Sequence, residues 1–120
     1  MTTVEFPFDQ YVDLTAYPGQ AWAYQVAEAQ VDLTGCTLTL TCPDLSLTLT
    51  GTVTVINSGL SDVVSTYSFH MVSSVTSPLL PGAYEYRISA TFGANPPAPF
   101  VTGDPVPFGN GILLVLTPLT

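Results

Sequence analysis

An all-β, antiparallel two-sheet fold is predicted for this chain by three features of its sequence. From Val31 to Ile56 apolar and polar residues alternate almost strictly. Cys36, Leu38, Leu40 and Cys42 share one parity and Thr37, Thr39 and Thr41 the other. After a turn, Leu45, Leu47 and Leu49 alternate with Ser46, Thr48 and Thr50, then Val53 and Val55 with Thr52 and Thr54. Successive strand side chains point to opposite faces, so a period of two buries the aliphatic set and leaves the hydroxyls in water. Eleven prolines and nine glycines are spread between the apolar runs, which reads as many short strands joined by turns. No segment carries a convincing helical period. At 120 residues the chain fits one domain, long enough to bury about two-thirds of its unfolded surface.

The elements follow in order. Val4, Phe6 and Phe8 alternate with Glu5, Pro7 and Asp9, but Pro7 lacks an amide donor, so residues 1–18 are expected to be an extended arm or an edge strand. Tyr17-Pro18-Gly19-Gln20 reads as a turn, because proline presets the first central φ and glycine accepts a positive one. Residues 19–120 are expected to form the sandwich, with strands near Ala21–Ala27, Cys36–Cys42, Leu45–Thr50, Thr52–Ile56, Val63–Met71, Ala83–Phe92 and Gly111–Thr117. Cys42-Pro43-Asp44, Asn57-Ser58-Gly59 and Pro81-Gly82 are the turns between them. In the strand after Pro81-Gly82, Tyr84, Tyr86, Ile88, Ala90 and Phe92 face one way and Glu85, Arg87, Ser89 and Thr91 the other. The connection Gly93–Asn110 holds five of the eleven prolines and cannot be helical. Seven or eight short strands punctuated in this way predict an Ig-like β-sandwich, although Cys36 and Cys42 are not spaced like the antibody-type cysteine pair.

Charge narrows the function classes. Arg87 is the only Lys or Arg, against nine carboxylates, for a net charge of −8. With no basic cluster to neutralise phosphates, nucleic acid is not an expected partner. The sign also disfavours anionic membrane surfaces. The N-terminus shows neither a basic segment nor a long apolar one, so no signal peptide is read, and the longest apolar run, Ile112–Leu116, has five residues against the roughly 18 of a membrane span. Synthesis in a cytoplasm and a soluble product are the expectation.

Candidate chemistry is sparse. Cys36 and Cys42 would lie roughly 20 Å apart in one strand, beyond the ~7 Å reach of a disulfide, and read as small buried hydrophobes. Two cysteines without a neighbouring histidine make a poor zinc site. His70 falls on the polar parity with Thr66 and Ser68, without an orienting partner or a nucleophile, and reads as a surface residue. Asp9 and Asp13, or Asp32, Asp44 and Asp62, supply oxygens that calcium would need, but not in the spacing of a calcium loop, so solvated turn carboxylates are expected. No cofactor motif occurs. Trp22 and Tyr24, near Tyr11 and Tyr17, offer apolar ring faces suited to a sugar. Their shared parity with Val26, opposite Ala21, Ala23 and Ala27, is that of a core strand. Ile112–Leu116 is apolar on both parities, so a cover on both faces is expected, from the N-terminal arm or from another subunit.

Several landmarks occur in an order that resembles a known family: a strand after Gly19-Gln20, then Val31-Asp32-Leu33-Thr34-Gly35 opening an alternating strand, then Pro81-Gly82-Ala83-Tyr84-Glu85-Tyr86 opening a long one, then a Gly111-led final strand. This arrangement, over about Gly19–Thr117, resembles the small Ig-like β-sandwich virion proteins of tailed bacteriophages, among them the N-terminal domain of the baseplate upper protein. The resemblance implies a non-enzymatic structural subunit of the virion, in the tail, baseplate or a fibre-anchoring adaptor, with other virion proteins as partners and a homo-oligomer or symmetric array as its state. These 120 residues include no long C-terminal shaft or receptor-binding region of the kind such proteins carry, so direct host recognition is not part of the expectation. The contact residues expected are Val4, Phe6 and Phe8, which can add to a neighbour's sheet edge, and Pro96, Pro97, Pro99 and Phe100, whose prolines reduce the ordering entropy of docking. A capsid decoration or head-fibre protein is the alternative on the same fold, and a carbohydrate-binding or adhesion module the alternative from another class.

Overall fold

Alternation in the sequence becomes burial in the fold. In the computed structural model, which describes residues 10–29, 32–93, 101–103 and 105–117, the strand β4 (Thr37–Cys42) buries Leu38, Leu40 and Cys42 and turns its threonines outward. The other strands are β1 (Gln10–Tyr11), β2 (Leu14–Ala16), β3 (Trp22–Ala29), β5 (Leu47–Thr50), β6 (Thr52–Ile56), β7 (Val64–Met71), β8 (Gly82–Thr91) and β9 (Pro105–Val115). One sheet has β9, β8, β4 and β5 in that order, with β1 and β2 sharing the outer edge of β9; the other has β3, β7 and β6. The fold is thus an all-β sandwich. All pairings are antiparallel except those of β1 and β2 with β9, which are parallel. A single helical turn, α1 (Ser73–Thr76), follows β7. No helix among the described residues is long and apolar enough to cross a membrane.

The core lies where the two inner faces meet. Tyr67, Phe69 and Met71 of β7 pack against Leu38, Leu40, Ile88, Ala90, Phe108 and Leu113 of the facing sheet. Tyr67 and Phe108 meet across the sandwich in a T-shaped pair with centroids 5.2 Å apart, and Tyr67 and Phe69 form another at 6.2 Å, the edge-to-face geometry aromatic quadrupoles favour. The chain changes sheets at Gly51, between β5 and β6. Its amide donates to the Leu38 carbonyl at 2.8 Å, and a Cβ there would stand 3.0 Å from the Phe69 ring, so the corner accommodates glycine.

Two sequence expectations need correction. The last strand begins at Pro105, not Gly111, because a bulge reverses its parity: Ile88 pairs with Gly109 and Ser89 with Pro107, leaving Phe108 as the extra residue. Val106 and Phe108 point inward before the bulge, and Gly109, Gly111, Leu113 and Val115 after it. Pro105 and Pro107 occupy the stretch ahead of the β1 pairing, which starts at Gly109, so among the described residues no strand pairs with that side of β9 there, where a missing amide hydrogen is tolerated. On this strand Leu113 and Val115 are buried, and Leu114 on the outward face is 40% exposed. The strand expected from Leu45 starts at Leu47, since Pro43–Leu45 makes a 3-10 turn closed by Ser46 at a positive φ of 52°.

Residues 10–16 close the outer edge of β9, interrupted at Val12 and Asp13. The Val12 amide donates to the Asn110 carbonyl at 2.9 Å, and the Val12 carbonyl accepts the Tyr86 hydroxyl. That carbonyl lies 2.0 Å from where a Cβ on Gly111 would be. Gly111→Ala is therefore expected to cost about 3 kcal/mol, whereas Gly59→Ala, which meets nothing within 4 Å at a φ of +81°, should cost about 1 kcal/mol. Urea unfolding of the two variants checks the contrast. Cys36 and Cys42 are both free thiols, Cys42 buried and Cys36 half-buried, and burial raises the pKa of each. Native labelling with a thiol reagent should leave Cys42 unmodified and reach Cys36 slowly, and denaturant should release both.

Candidate protein interface

The contact residues read from the sequence, Val4, Phe6, Phe8, Pro96, Pro97, Pro99 and Phe100, lie outside the described residues. The described residues that flank them are Gln10, which enters β1, and Gly93 and Val101, on either side of the proline-rich segment. Gly93 follows β8 against the β3 to β4 connection, so close that a Cβ on it would stand 2.2 Å from the Gly35 carbonyl oxygen. On the far side of the segment, the Gly103 amide donates to the Phe92 carbonyl at 2.8 Å and the Thr102 hydroxyl to the Gly93 carbonyl at 3.0 Å.

Three connections meet at this end of the sandwich: β3 to β4, β6 to β7, and β8 to β9. Asp32 joins the first two. Its carboxylate accepts the amide of Thr34 (3.0 Å), the hydroxyl of Ser58 (2.8 Å) and the amide of Gly59 (3.0 Å), as well as the hydroxyl of Thr34. Partial burial works against its charge, but these four donors outweigh it and hold the pKa down to about 2. Next to it, the Leu33 amide donates to the Ser65 hydroxyl at 2.9 Å, inside the core. Asn57, at a positive φ of 56°, donates to the Asp62 carboxylate at 3.2 Å, and the Leu60 amide closes the turn on the Asn57 carbonyl at 3.0 Å. Leu60 and Val101, each 60% exposed, and Ile56 put apolar surface on these braced connections. Beside them a groove floored by Leu33, Val53 and Val55 opens between β4 and β6.

The opposite end is braced in the same style. The predicted turn at Tyr17–Gln20 forms, with the Gln20 amide on the Tyr17 carbonyl at 3.1 Å and Gly19 at φ +83°. The buried Thr76 hydroxyl accepts the Gly19 amide at 3.1 Å and donates to the Gln20 carbonyl at 2.8 Å, fastening α1 to that turn. Tyr84 donates its hydroxyl to the Leu80 carbonyl at 2.8 Å, across the β7 to β8 connection. Val72, Val75 and Leu80 are the exposed apolar residues here, Leu80 at 71%.

Other candidates are separated. His70 is exposed on the outward face of β7, opposite Ala23. Trp22, Tyr24 and Val26 stand opposite Met71, Phe69 and Tyr67 and pack half-buried against the core, which leaves the rings no common open platform. Glu28, one further step along β3, has its carboxyl pKa raised by burial. Among the described residues no three His, Cys, Asp or Glu side chains converge as metal ligands. The braces were hidden from sequence reading because their partners are distant, as with Asp32 and Gly59, 27 positions apart. Only the Asp32-x-Thr34 spacing signals a local turn of this kind. No protein-family model, curated protein or solved structure matches the chain.

The depressed Asp32 pKa fixes a pH window. A carboxylate held at about 2, against 3.8 unperturbed, contributes stability above about pH 4 that disappears as pH falls through 2. Asp32→Ala should lower stability at pH 7 by about 1 kcal/mol, and the gap to wild type should close by pH 2. Chemical unfolding of both proteins across that range checks it, and a gap unchanged at pH 2 would remove the ionic role of the brace.

Proposed function

We propose that this chain is a non-enzymatic structural subunit of a tailed-phage virion, in the tail, baseplate or a fibre-anchoring adaptor, acting through repeated protein contacts. The observation that carries the reading is a sandwich with braced connections at both ends, each bearing exposed apolar side chains: Ile56, Leu60 and Val101 at one, Val72, Val75 and Leu80 at the other. Large apolar side chains held on ordered connections cost little further ordering entropy when they dock. A unit with a contact surface at each end can join two neighbours, and repetition by symmetry makes weak contacts collectively strong.

Strand order supports the Ig-like part of the resemblance behind this reading. The order β3-β7-β6 against β9-β8-β4-β5 follows the B-E-D and G-F-C order of Ig-like sandwiches. Tyr84, near the start of β8, bonds back to the Leu80 carbonyl, which is the arrangement of the tyrosine corner in that fold class.

Purified particles are the test. Trypsin cuts only after Arg87, leaving peptides of 87 and 33 residues from the 120, so a tryptic survey of virion proteins would easily pass over the chain. Chymotryptic digestion should recover it from purified virions at a copy number matching a ring or a lattice. Leu60→Asp and Leu80→Asp, exposed and therefore compatible with folding, should each lower its incorporation by about tenfold. Soluble protein in infected cells with none in virions would overturn the structural role.

A further inference from the structure

The chain's single Lys or Arg is unused within the described structure. Arg87 faces nine carboxylates, yet no ion pair or side-chain hydrogen bond joins it to another described residue. It stands on β8, with β9 and the β1 and β2 edge on one side and β4 and β5 on the other, so it is at the middle of the sheet's outer face. Thr41 and Asn110 are its cross-strand neighbours. Around it the face is made largely of short uncharged side chains: Thr37, Thr39, Thr48, Thr50, Ser89 and Thr91. Shallow hollows flank Arg87 on both sides, one beside Pro105 and Pro107, the other beside Tyr11 and Ile112. Glu85, two residues along the same strand, is exposed on the same face. Asp13, at the margin, is engaged by Tyr11 and by the Ile112 amide at 3.3 Å.

Contact between two copies of a chain with net charge −8 is opposed unless charges are matched where they meet. This face meets that condition. The geometry points to a face-to-face dimer in which the outer surfaces of the β9-β8-β4-β5 sheets pack together and Arg87 of each copy is set against Glu85 of the other. A two-fold axis lying between the faces and crossing β8 at Tyr86 reverses the strand direction, so position 85 of one copy comes over position 87 of the second. Both pairs form at once, as an isologous contact requires. The small threonine and serine side chains let two such sheets approach to roughly 10 Å. A face of about 20 by 30 Å falls below the roughly 800 Å² per partner of a standard stable complex, so the dimer is weak, and its strength depends on the charge match. It holds or fails independently of the virion assignment.

Sedimentation equilibrium on the full chain tests this with a charge-swap set. Wild type should dimerise reversibly by millimolar concentration and more weakly in high salt. Arg87→Glu and Glu85→Arg each set like charges opposite each other and should weaken association by about tenfold or more. An equimolar mixture of the two variants should form heterodimers, because every 85 to 87 contact is then opposite in sign. The double variant Glu85→Arg with Arg87→Glu should return to wild-type affinity. Both single variants keep a large net negative charge, so general attraction cannot produce the recovery in the mixture. Tryptophan fluorescence confirms that each variant is folded, as expected for exposed positions. A wild-type chain that stays monomeric, single variants that associate as wild type does, or a mixture and double variant that show no recovery would each overturn the proposal.

Discussion

The constraint on which the structure depends is the inner face of β7. Its four inward residues, Ser65, Tyr67, Phe69 and Met71, are all buried, and each sets a different part of the fold. Ser65 accepts the Leu33 amide and so fixes the connection that carries Asp32. Tyr67 crosses to Phe108 and joins the sheets. Phe69 fills the space where a side chain at Gly51 would go, at the corner where the chain changes sheets. Met71 pairs with Trp22 at the end of β3 nearest α1. A strand with neighbours on both edges and a fully buried face has the least freedom to slip, because a one-residue shift would turn its polar parity inward: Thr66, Ser68 and His70 would replace the aromatic set.

Much of this was legible because alternation is a local signal. The extents of β4, β6, β7 and β8 follow from it within one or two residues, as does the shared inward parity of Cys36 and Cys42. It failed where parity changes within an element. Val106 and Phe108 are even-numbered and Gly109 to Val115 odd-numbered along the inward face of β9, so a single-period reading finds only the second half. The bulge that reconciles them is a pairing property of two strands, Ile88 and Ser89 against Pro107 and Gly109. The β1 and β2 edge was equally hidden. Its anchor, Tyr86 to Val12, spans 74 positions, and its strands have two and three residues, too short to show a period.

The candidate surfaces divide the same way. Turn chemistry at Tyr17–Gln20 and Asn57–Gly59 was readable from proline, asparagine and glycine, so the ends of the sandwich could be placed. What makes those ends rigid could not, since Asp32 and Thr76 act on backbone groups from other connections. The sequence marks Asp32 as a turn carboxylate rather than a calcium ligand, without naming its donors; its oxygens accept from hydroxyl and amide groups of two connections. Hydrogen bonds that satisfy a carboxylate also order the connections that donate them, which is why the apolar residues beside it are held in place at little extra cost.

Charge placement links the ends to the faces. Asp32, Asp44 and Asp62 are exposed in connections, so part of the net negative charge that offsets a mean hydropathy of +0.42 lies there. The outward strand positions are filled largely by threonine and serine, whose β-branched or short side chains suit a pleated surface and carry no charge to desolvate. A partner approaching the β9-β8-β4-β5 face therefore meets its central charges at Glu85 and Arg87, with uncharged side chains around them. Burying an ionised group against hydroxyls alone is unfavourable, and burying it against its opposite is tolerated, so those two residues decide which surfaces that face accepts. Low charge density thus makes the face permissive in area and selective at one point.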